Sequence, residues 1–244
     1  MECLYIMECL YTPHLLESTQ TLALGDDARS HARALRLREG ERVLLSNGAG
    51  LCATASIRTV RSNEVLCAIH DILPEYGELP YRLILALGIL DNRERMEFAI
   101  EKAVELGVSE IVLLQTQHSE RYAANRTKTE RITAKALAAM QQSHRARLPR
   151  IHAPMSVQEL QTLLPSDSAI ILADVDGQQP HTLTMRNTSI CLCVGAEGGF
   201  SESEIQTLKH DSRTVAWKLA PRRLRAETAS VMGLSAITLM NAGV

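Results

Sequence analysis

Two short stretches hold the residues whose types and spacing could do chemistry. The first is VGAEGGFSESEI (Val194–Ile205), where Gly195, Gly198 and Gly199 surround a lone Glu197. The second is LAPRRLRAETA (Leu219–Ala229), which sets Arg222, Arg223 and Arg225 ahead of Glu227 and Thr228. Glycines let a backbone approach a ligand closely, although Gly198-Gly199 alone is first of all a tight turn. The arginines alone are an exposed basic turn. Glu227 and Thr228 alone cap the helix behind them, because acid near a helix N-terminus complements its dipole. What joins the two stretches is position. Each follows a strand-like run and precedes a helix, and in an open α/β sheet ligands bind beyond the carboxyl ends of the strands.

The elements that must hold these loops follow from pattern. Ser201 and Glu204 have capping-box spacing, and Phe200 with Ile205 fits a hydrophobic staple, so a helix starts at about residue 202. Upstream, TSICLCV is a short apolar run with β-branched ends that suits a buried strand. From residue 80 onward strands and helices alternate. YRLILALG, EIVLLQ, SAIILAD, SICLCV and TVAWKL read as strands. RERMEFAIEKAVELG, TKTERITAKALAAMQQSHR, SVQELQTLL, ESEIQTLKH and ETASVMGLSAITLMNA read as helices. That alternation argues for about five parallel strands covered on both faces. The helix over 93–107 puts Met96, Ala99, Ile100, Ala103 and Val104 on one stripe and ends at Gly107. The closing helix carries Ala226, Ala229, Ser230, Gly233 and Ala236, small residues that call for very close packing.

Residues 7–74 are β-rich instead. GERVLLSNGAGLCATASIRTV holds two strands around Asn47-Gly48, a strong turn signal. EVLCAIHDIL supplies another strand, and DDARSHARALRLREG a short helix ending near Gly40. A small barrel fits this part. LPEYGELPY (73–81) marks the boundary, giving domains over 1–74 and 75–244. The chain opens MECLYIMECLYT, which reads as a start-site duplication rather than a structural repeat, so the first copy is left out of the fold reading.

Composition narrows the function classes. No apolar run approaches the roughly 20 residues that span a bilayer, and no signal-peptide pattern opens the chain. The six cysteines include no C-x-x-C pair and read as buried reduced thiols of a cytoplasmic protein. The net charge of −2 gives no global sign of a nucleic-acid partner. Its distribution does: residues 121–150 hold eight Lys or Arg against Glu130 alone, and 213–225 hold five with no acid. Two basic runs in a slightly acidic chain point to a polyanion. The glycine turn is not G-x-G-x-x-G, and no Walker motif, H-E-x-x-H, G-x-S-x-G or His/Cys cluster is present. Lone histidines such as His14, His31 and His118 suit structural or exposed positions, and no metal site is expected.

VGAEGGFSESE together with LAPRRLRAETA resembles the paired C-terminal signatures of the RsmE family. HARALRLREGERVLLSNGAG, RMEFAIEKAVELGVSEI and MQQSHRARLPRI resemble three further family segments in the same order, through Lys102, Glu105, Leu106 and Gly107 in the second and Gln142, Ser143, Arg145 and Pro149 in the third. The likeness covers nearly the whole chain. It implies a SPOUT-type knotted parallel sheet with a C-terminal trefoil knot, preceded by a PUA-like β-barrel. It implies S-adenosylmethionine as methyl donor, N3 of a uridine in 16S ribosomal RNA as acceptor, and a homodimer whose interface helps form each active site. Two positions depart from the family pattern: Ala196 stands for a proline, and Ala220, followed by Pro221, stands for a glycine. Losing the proline costs only backbone stiffening, whereas a glycine beside a cofactor can serve φ > 0 or close approach.

By this resemblance the donor lies among three segments. The strand end contributes Leu172 and Ala173. The turn contributes Gly195, Glu197, Gly198 and Gly199. The second loop contributes Leu219, Ala220, Arg223 and Leu224, with Glu227 and Thr228 behind it. Glu197 could bond a ribose hydroxyl or cap the following helix. Uridine N3 is protonated and weakly nucleophilic at neutral pH, so positive charge or aimed N–H donors must favour its anion. Arg225 is the candidate for that catalytic role, or for holding a phosphate, and the general base stays unassigned. Arg33, Arg36, Arg121 and Arg145 would meet RNA phosphates without reading sequence, and the target base must be unpaired or flipped. Two other readings stand beside this one: a related knotted enzyme acting on a ribose 2′-hydroxyl, and an RNA-binding ribosome-assembly factor without catalysis.

Overall fold

A computed structural model describes residues 7–119, 126–180 and 189–241, without the side chains of 126–129. The chain divides into two compact units, Met1–Glu78 with Leu137–Leu148, and Leu79–Ala136 with Pro149–Val244. The first compact unit runs to Glu78, where composition set the domain boundary at residue 74. Residues 137–148, assigned by sequence to the second part, belong to the first.

The first unit is built on five strands, β1 (Glu8–Tyr11), β2 (Thr21–Ala23), β3 (Arg42–Ser46), β4 (Leu51–Val60) and β5 (Val65–Pro74), and one helix, α1 (Asp26–Ala34). They form a sheet in the order β1-β3-β4-β5-β2. Antiparallel pairing joins β3 to β4 and β4 to β5, while β1 runs parallel to β3. The Asn47-Gly48 turn works as its residues dictate. Asn47 Oδ1 accepts from the Ala49 and Leu51 amides at 2.8 and 3.0 Å, and Gly48 takes φ +69°. Leu10, Leu15, Val43, Leu45, Ile57 and Val65 are buried in the core beneath α1 residues Ala28 and Ala32. β1 and β2 were not foreseen, because segments of four and three residues carry too little alternation to register.

The second unit contains a sheet of six strands: β6 (Arg82–Gly88), β7 (Glu110–Leu114), β8 (Arg150–Met155), β9 (Ala169–Gln178), β10 (Ser189–Val194) and β11 (Thr214–Trp217). Their order is β11-β9-β10-β6-β7-β8, and every neighbouring pair is parallel. Helices α2 (Arg93–Glu105), α3 (Arg126–Gln142), α4 (Val157–Leu163), α5 (Glu202–His210) and α6 (Ala226–Asn241) connect the strands or follow them. Strands covered on both faces need continuous rather than alternating apolar character. SICLCV and EIVLL supply it, and both are buried throughout. β8 is the sixth strand, one more than expected. It carries Pro154 and a partly exposed pattern, as an edge strand can.

The helix signals hold. The α2 stripe Met96, Ala99, Ile100, Ala103 and Val104 is buried, and Gly107 ends the helix at φ +89°. α5 begins at Glu202 behind a capping box of Ser201 and Glu204. α6 packs on α2, β6 and β10. A side chain at Gly233 would begin 2.7 Å from Leu192 Cδ2, so the small residues of α6 do bring it very close to the sheet. Among the described residues the five cysteines Cys9, Cys52, Cys67, Cys191 and Cys193 are buried and free. Burial pushes the Cys52 and Cys67 thiols up to about 11.

Candidate donor-binding cleft

The strand order fixes where a ligand can enter. From β6 the chain proceeds outward to β7 and β8, then crosses back to β9 and β10 on the other side of β6. This reversal places a crevice at the carboxyl ends of β6, β10 and β9, the switch point of a parallel sheet. A cavity of about 550 Å³ lies beside that point, walled from β9, β10 and β11 and the loops after β10 and β11 rather than from β6. Its wall includes Ala173, Asp174 and Val175 of β9, Gly195–Gly199 after β10, and Leu219, Ala220 and Arg222–Ala226 after β11. Arg95, Trp217, Glu227 and Ala229 complete much of the lining.

Close backbone approach shapes the glycine turn. An added Cβ at Gly195 would sit 2.7 Å from the Gly199 carbonyl carbon and 2.9 Å from the Phe200 nitrogen. Gly199 closes the turn with φ +74° and donates to the Ala196 oxygen at 2.9 Å. Gly88, at the end of β6, stands against the same turn. A Cβ there would lie 2.8 Å from the Gly195 carbonyl carbon and closer still to the Ala196 nitrogen. Gly198 is pressed from outside the cavity, since a side chain would begin 2.8 Å from His118 Cβ. His118 Nδ1–H donates to the Gly198 oxygen at 3.1 Å, and the Gln117 amide donates to Glu204 at 2.8 Å. The loop after β7 thus braces the turn from behind.

Of the two roles open to Glu197, helix capping falls away, because Ser201 and Glu204 occupy that cap. The Glu197 carboxylate accepts from the Asp91 amide at 3.4 Å, and its main-chain oxygen accepts from Arg223 at 3.0 Å. The Arg223 bond joins the glycine turn to the arginine loop directly. Arg225 is exposed in the cavity wall, and its main-chain oxygen accepts from the Ala229 amide at the start of α6. Arg95 faces Glu227 at 3.7 Å. Four guanidinium groups and the carboxylates of Asp174, Glu197 and Glu227 therefore surround one cavity. Burial works against the charge of Asp174, but the hydrogen bond and charge of Lys209 together with the Asp176 and Val175 amides outweigh it and hold the carboxyl below its usual range.

The structure gathers most of the expected site. Ala173, Gly195, Glu197, Gly198, Gly199, Leu219, Ala220, Arg223, Leu224, Arg225 and Glu227 all line the cavity. Leu172 does not. It is buried between Cys193 and Ala216 in the sheet and belongs to the core. Thr228 is exposed in the first turn of α6 and is not in the wall. Ala220 needs no left-handed backbone: among the described residues only Arg36, Glu75 and His144 take positive φ without being glycine. Gly88, Arg95, Asp174 and Trp217 were missed. A glycine closing the run LILALG was the one available signal, whereas the others reach the cavity only through tertiary placement.

The expected RNA contacts fare differently. Arg36 is exposed. Arg33 is exposed but spends its guanidinium on the Arg61 and Ser62 carbonyls. Arg121 lies outside the described residues. Arg145 is a correction. It is 2% exposed and paired to Glu78 at 2.6 Å inside the first unit, so its charge is satisfied in the fold and cannot meet a phosphate. Among the described residues no cluster of His, Cys, Asp or Glu could hold a metal ion, and no helix is long and apolar enough to cross a membrane.

Fold and cleft together define a parallel α/β protein with an open cavity at its strand ends, beside an arginine-rich loop. The RNA methyltransferase domain model matches residues 77–238. A Bacillus subtilis protein named ribosomal RNA small subunit methyltransferase E is 27% identical over 93% of both chains. The crystal structure of a ribosomal RNA small subunit methyltransferase E from Neisseria gonorrhoeae bound to S-adenosyl methionine superposes with TM-score 0.86, at 27% identity over 96% of this chain and 98% of that one. A Legionella pneumophila structure in complex with the bound cofactor SAM gives TM-score 0.83, at 27% identity over 96% and 97%. The chain belongs to this family of RNA methyltransferases and groups with the small-subunit methyltransferase E proteins.

Proposed function

We propose that this protein methylates N3 of a uridine in small-subunit ribosomal RNA, with S-adenosylmethionine as donor. The observation that carries the reading is one cavity walled at once by the glycine turn and the arginine loop. The cavity suits the donor in size, since small-molecule sites run from about 300 to 1,000 Å³. It suits the donor in kind. The Gly88–Gly195 approach leaves bare backbone in the wall, and Asp174, Glu197 and Glu227 put anionic oxygen around a cationic ligand. Gly195–Gly199, Ala173 and Leu219–Leu224 would hold it.

S-adenosylmethionine supplies a methyl group made electrophilic by its sulfonium. The chain's own residues have two tasks. The first is to present the base: RNA phosphates meet exposed cations such as Arg36 and Arg222 while an unpaired uridine enters the cleft. The second is to make N3 nucleophilic. Its proton must leave, and the negative charge then spreads onto the uracil carbonyl oxygens. Arg225, exposed at the cavity wall, stabilises that charge. Arg223 fixes the distance between the two loops through its bond to Glu197.

The finer architecture belongs to the same reading. A trefoil knot at the C-terminal end is supported by the path of the chain. β11 lies outside β9, yet α6 packs on β6 and β10, so residues 218–225 return across the strand ends. A PUA-like barrel with an RNA-binding role fits the first unit, with its five-stranded sheet and two register shifts between β4 and β5. A homodimer is supported by exposed apolar side chains on α2 and α6, namely Phe98, Met232, Leu239 and Met240. Five buried thiols suit a reducing cytoplasm. Nucleoside mass spectrometry of small-subunit RNA from cells with and without the protein tests the activity. Loss of 3-methyluridine on deletion supports it, and loss of a 2′-O-methylnucleoside or of nothing overturns it.

A further inference from the structure

We infer that residues 173–177 of β9 form a donor-recognition arm in which Asp174 accepts hydrogen bonds from the ribose hydroxyls of the methyl donor. The inference rests on the methyl-transfer reading above and adds to it a residue and a ligand group. The register of β9 against β11 is the first observation. Ala216 pairs with Leu172, but the next residue, Trp217, pairs with Gln178, so residues 173–177 stand opposite no partner. Irregularities of this kind re-aim side chains at the edges of sites. The return of the arm is tightly built. A Cβ on Gly177 would lie 2.6 Å from the carbonyl carbons of both Ala216 and Trp217, so a larger residue would force the two strands apart.

What the arm displays is the second observation. Asp174 and Val175 both line the cavity, with Val175 61% exposed and the Asp174 side chain only 11% exposed. A carboxylate this enclosed needs a reason, because burying charge is costly even when it is paired. Two protein partners meet part of that cost. Lys209 of α5 sits 2.8 Å from Oδ2, and the Asp176 amide donates to Oδ1 at 3.1 Å. These contacts orient the carboxylate. An ionised carboxylate offers about four acceptor sites, so capacity remains for a ligand that brings hydroxyl donors.

The third observation is level along the strands. Leu172 pairs with Cys193. Two residues further on, Asp174 in the unpaired stretch of β9 and Gly195 just after β10 both line the cavity. Asp174 lies past the continuously paired part of β9, and an acidic residue so placed near a glycine turn is the arrangement that holds a ribose diol in nucleotide-binding α/β sheets. All three cavity acids have a protein partner, Glu227 in Arg95, Glu197 in the Asp91 amide and Asp174 in Lys209, and Asp174 is the one that β9 carries. Lys209 is a positioning residue in this scheme.

Trp217 is the protein's single tryptophan and lies in the cavity wall, so its fluorescence reports donor binding. The test titrates wild type, Asp174→Asn, Lys209→Met and Lys209→Arg with S-adenosylmethionine and with its 2′,3′-dideoxy analogue. Asp174→Asn should bind the donor about 10- to 100-fold more weakly, the worth of a charge-assisted hydrogen bond. It should bind the dideoxy analogue as wild type does, because the group it would meet is gone. Lys209→Met should lose less, with the same ligand dependence, and Lys209→Arg should recover the loss. Wild-type affinity in Asp174→Asn, or an equal loss for both ligands, overturns the assignment. If wild type itself binds no donor, the methyl-transfer reading fails and takes this inference with it.

Discussion

Replacing Gly88 with alanine tests how the cleft is assembled. A Cβ at this position would stand 2.8 Å from the Gly195 carbonyl carbon and 3.0 Å from Ala196 Cα, where ordinary contact begins at 3.4 Å. The difference, 3.4 − 2.8, means that the turn and the end of β6 must part by about 0.6 Å, and by more at the Ala196 nitrogen. Every colliding atom is backbone, so no rotamer change relieves the clash. Overpacking of this kind costs about 1–3 kcal/mol, and for a chain of this size each kcal/mol lowers Tm by about 2–4 °C. The functional loss should be larger than the stability loss implies. The glycine turn walls the cavity on the far side of the collision, and displacing a binding element by about 1 Å can cost about 100-fold in rate. Thermal unfolding and a donor titration followed by Trp217 fluorescence measure the two effects separately. Gly88→Ala should melt lower by several degrees and bind the donor at least about 10-fold more weakly. A variant with wild-type affinity would refute the idea that β6 sets the position of the turn.

Three further outcomes follow from the same structure. Arg145→Met leaves Glu78 buried without its partner, at 2% and 7% exposure for the pair, and should destabilise the protein by about 3–5 kcal/mol in urea unfolding; unchanged stability with weakened RNA binding would restore Arg145 to the RNA-contact set. Arg225→Ala should reduce methyl transfer more than donor affinity, read as kcat against Kd, and equal losses in both would make Arg225 a donor-binding residue instead. Burial opposes the charge of Glu110, but hydrogen bonds from Arg82 and from His152, the latter at 2.7 Å, outweigh it and hold its carboxyl below the usual range. A lowered folded value means that the stabilisation is complete above the unfolded value of about 4.3 and fades as pH falls from there through the folded value. Glu110→Gln should therefore flatten acid unfolding below about pH 4, and an unchanged acid limb would contradict the sign.

Local pattern carried much of the fold. The α5 start needed only Ser201, Glu204, Phe200 and Ile205, and the buried strands β7 and β10 needed only their continuous apolar runs. The two loops of the cleft were legible because each lies between such a strand and a helix. What escaped depends on distant parts of the chain. β8 reads poorly because an edge strand tolerates Pro154 and partial exposure. The 173–177 arm is set by where β11 pairs, which SAIILADVDG alone does not contain. Arg145 sits in a run of basic residues, and its partner Glu78 lies 67 residues earlier, so composition suggested an exposed charge where tertiary structure buries one. The same separation hid the return of 137–148 to the first unit.

The most direct measurement is a crystal structure of the protein grown with S-adenosylmethionine. The donor should lie in the cavity between Gly195–Gly199 and Leu219–Arg225, with its methyl group toward the Arg225 side and its ribose toward Asp174. Density for the donor elsewhere on the molecule, or a cavity left empty at saturating donor, would contradict the account.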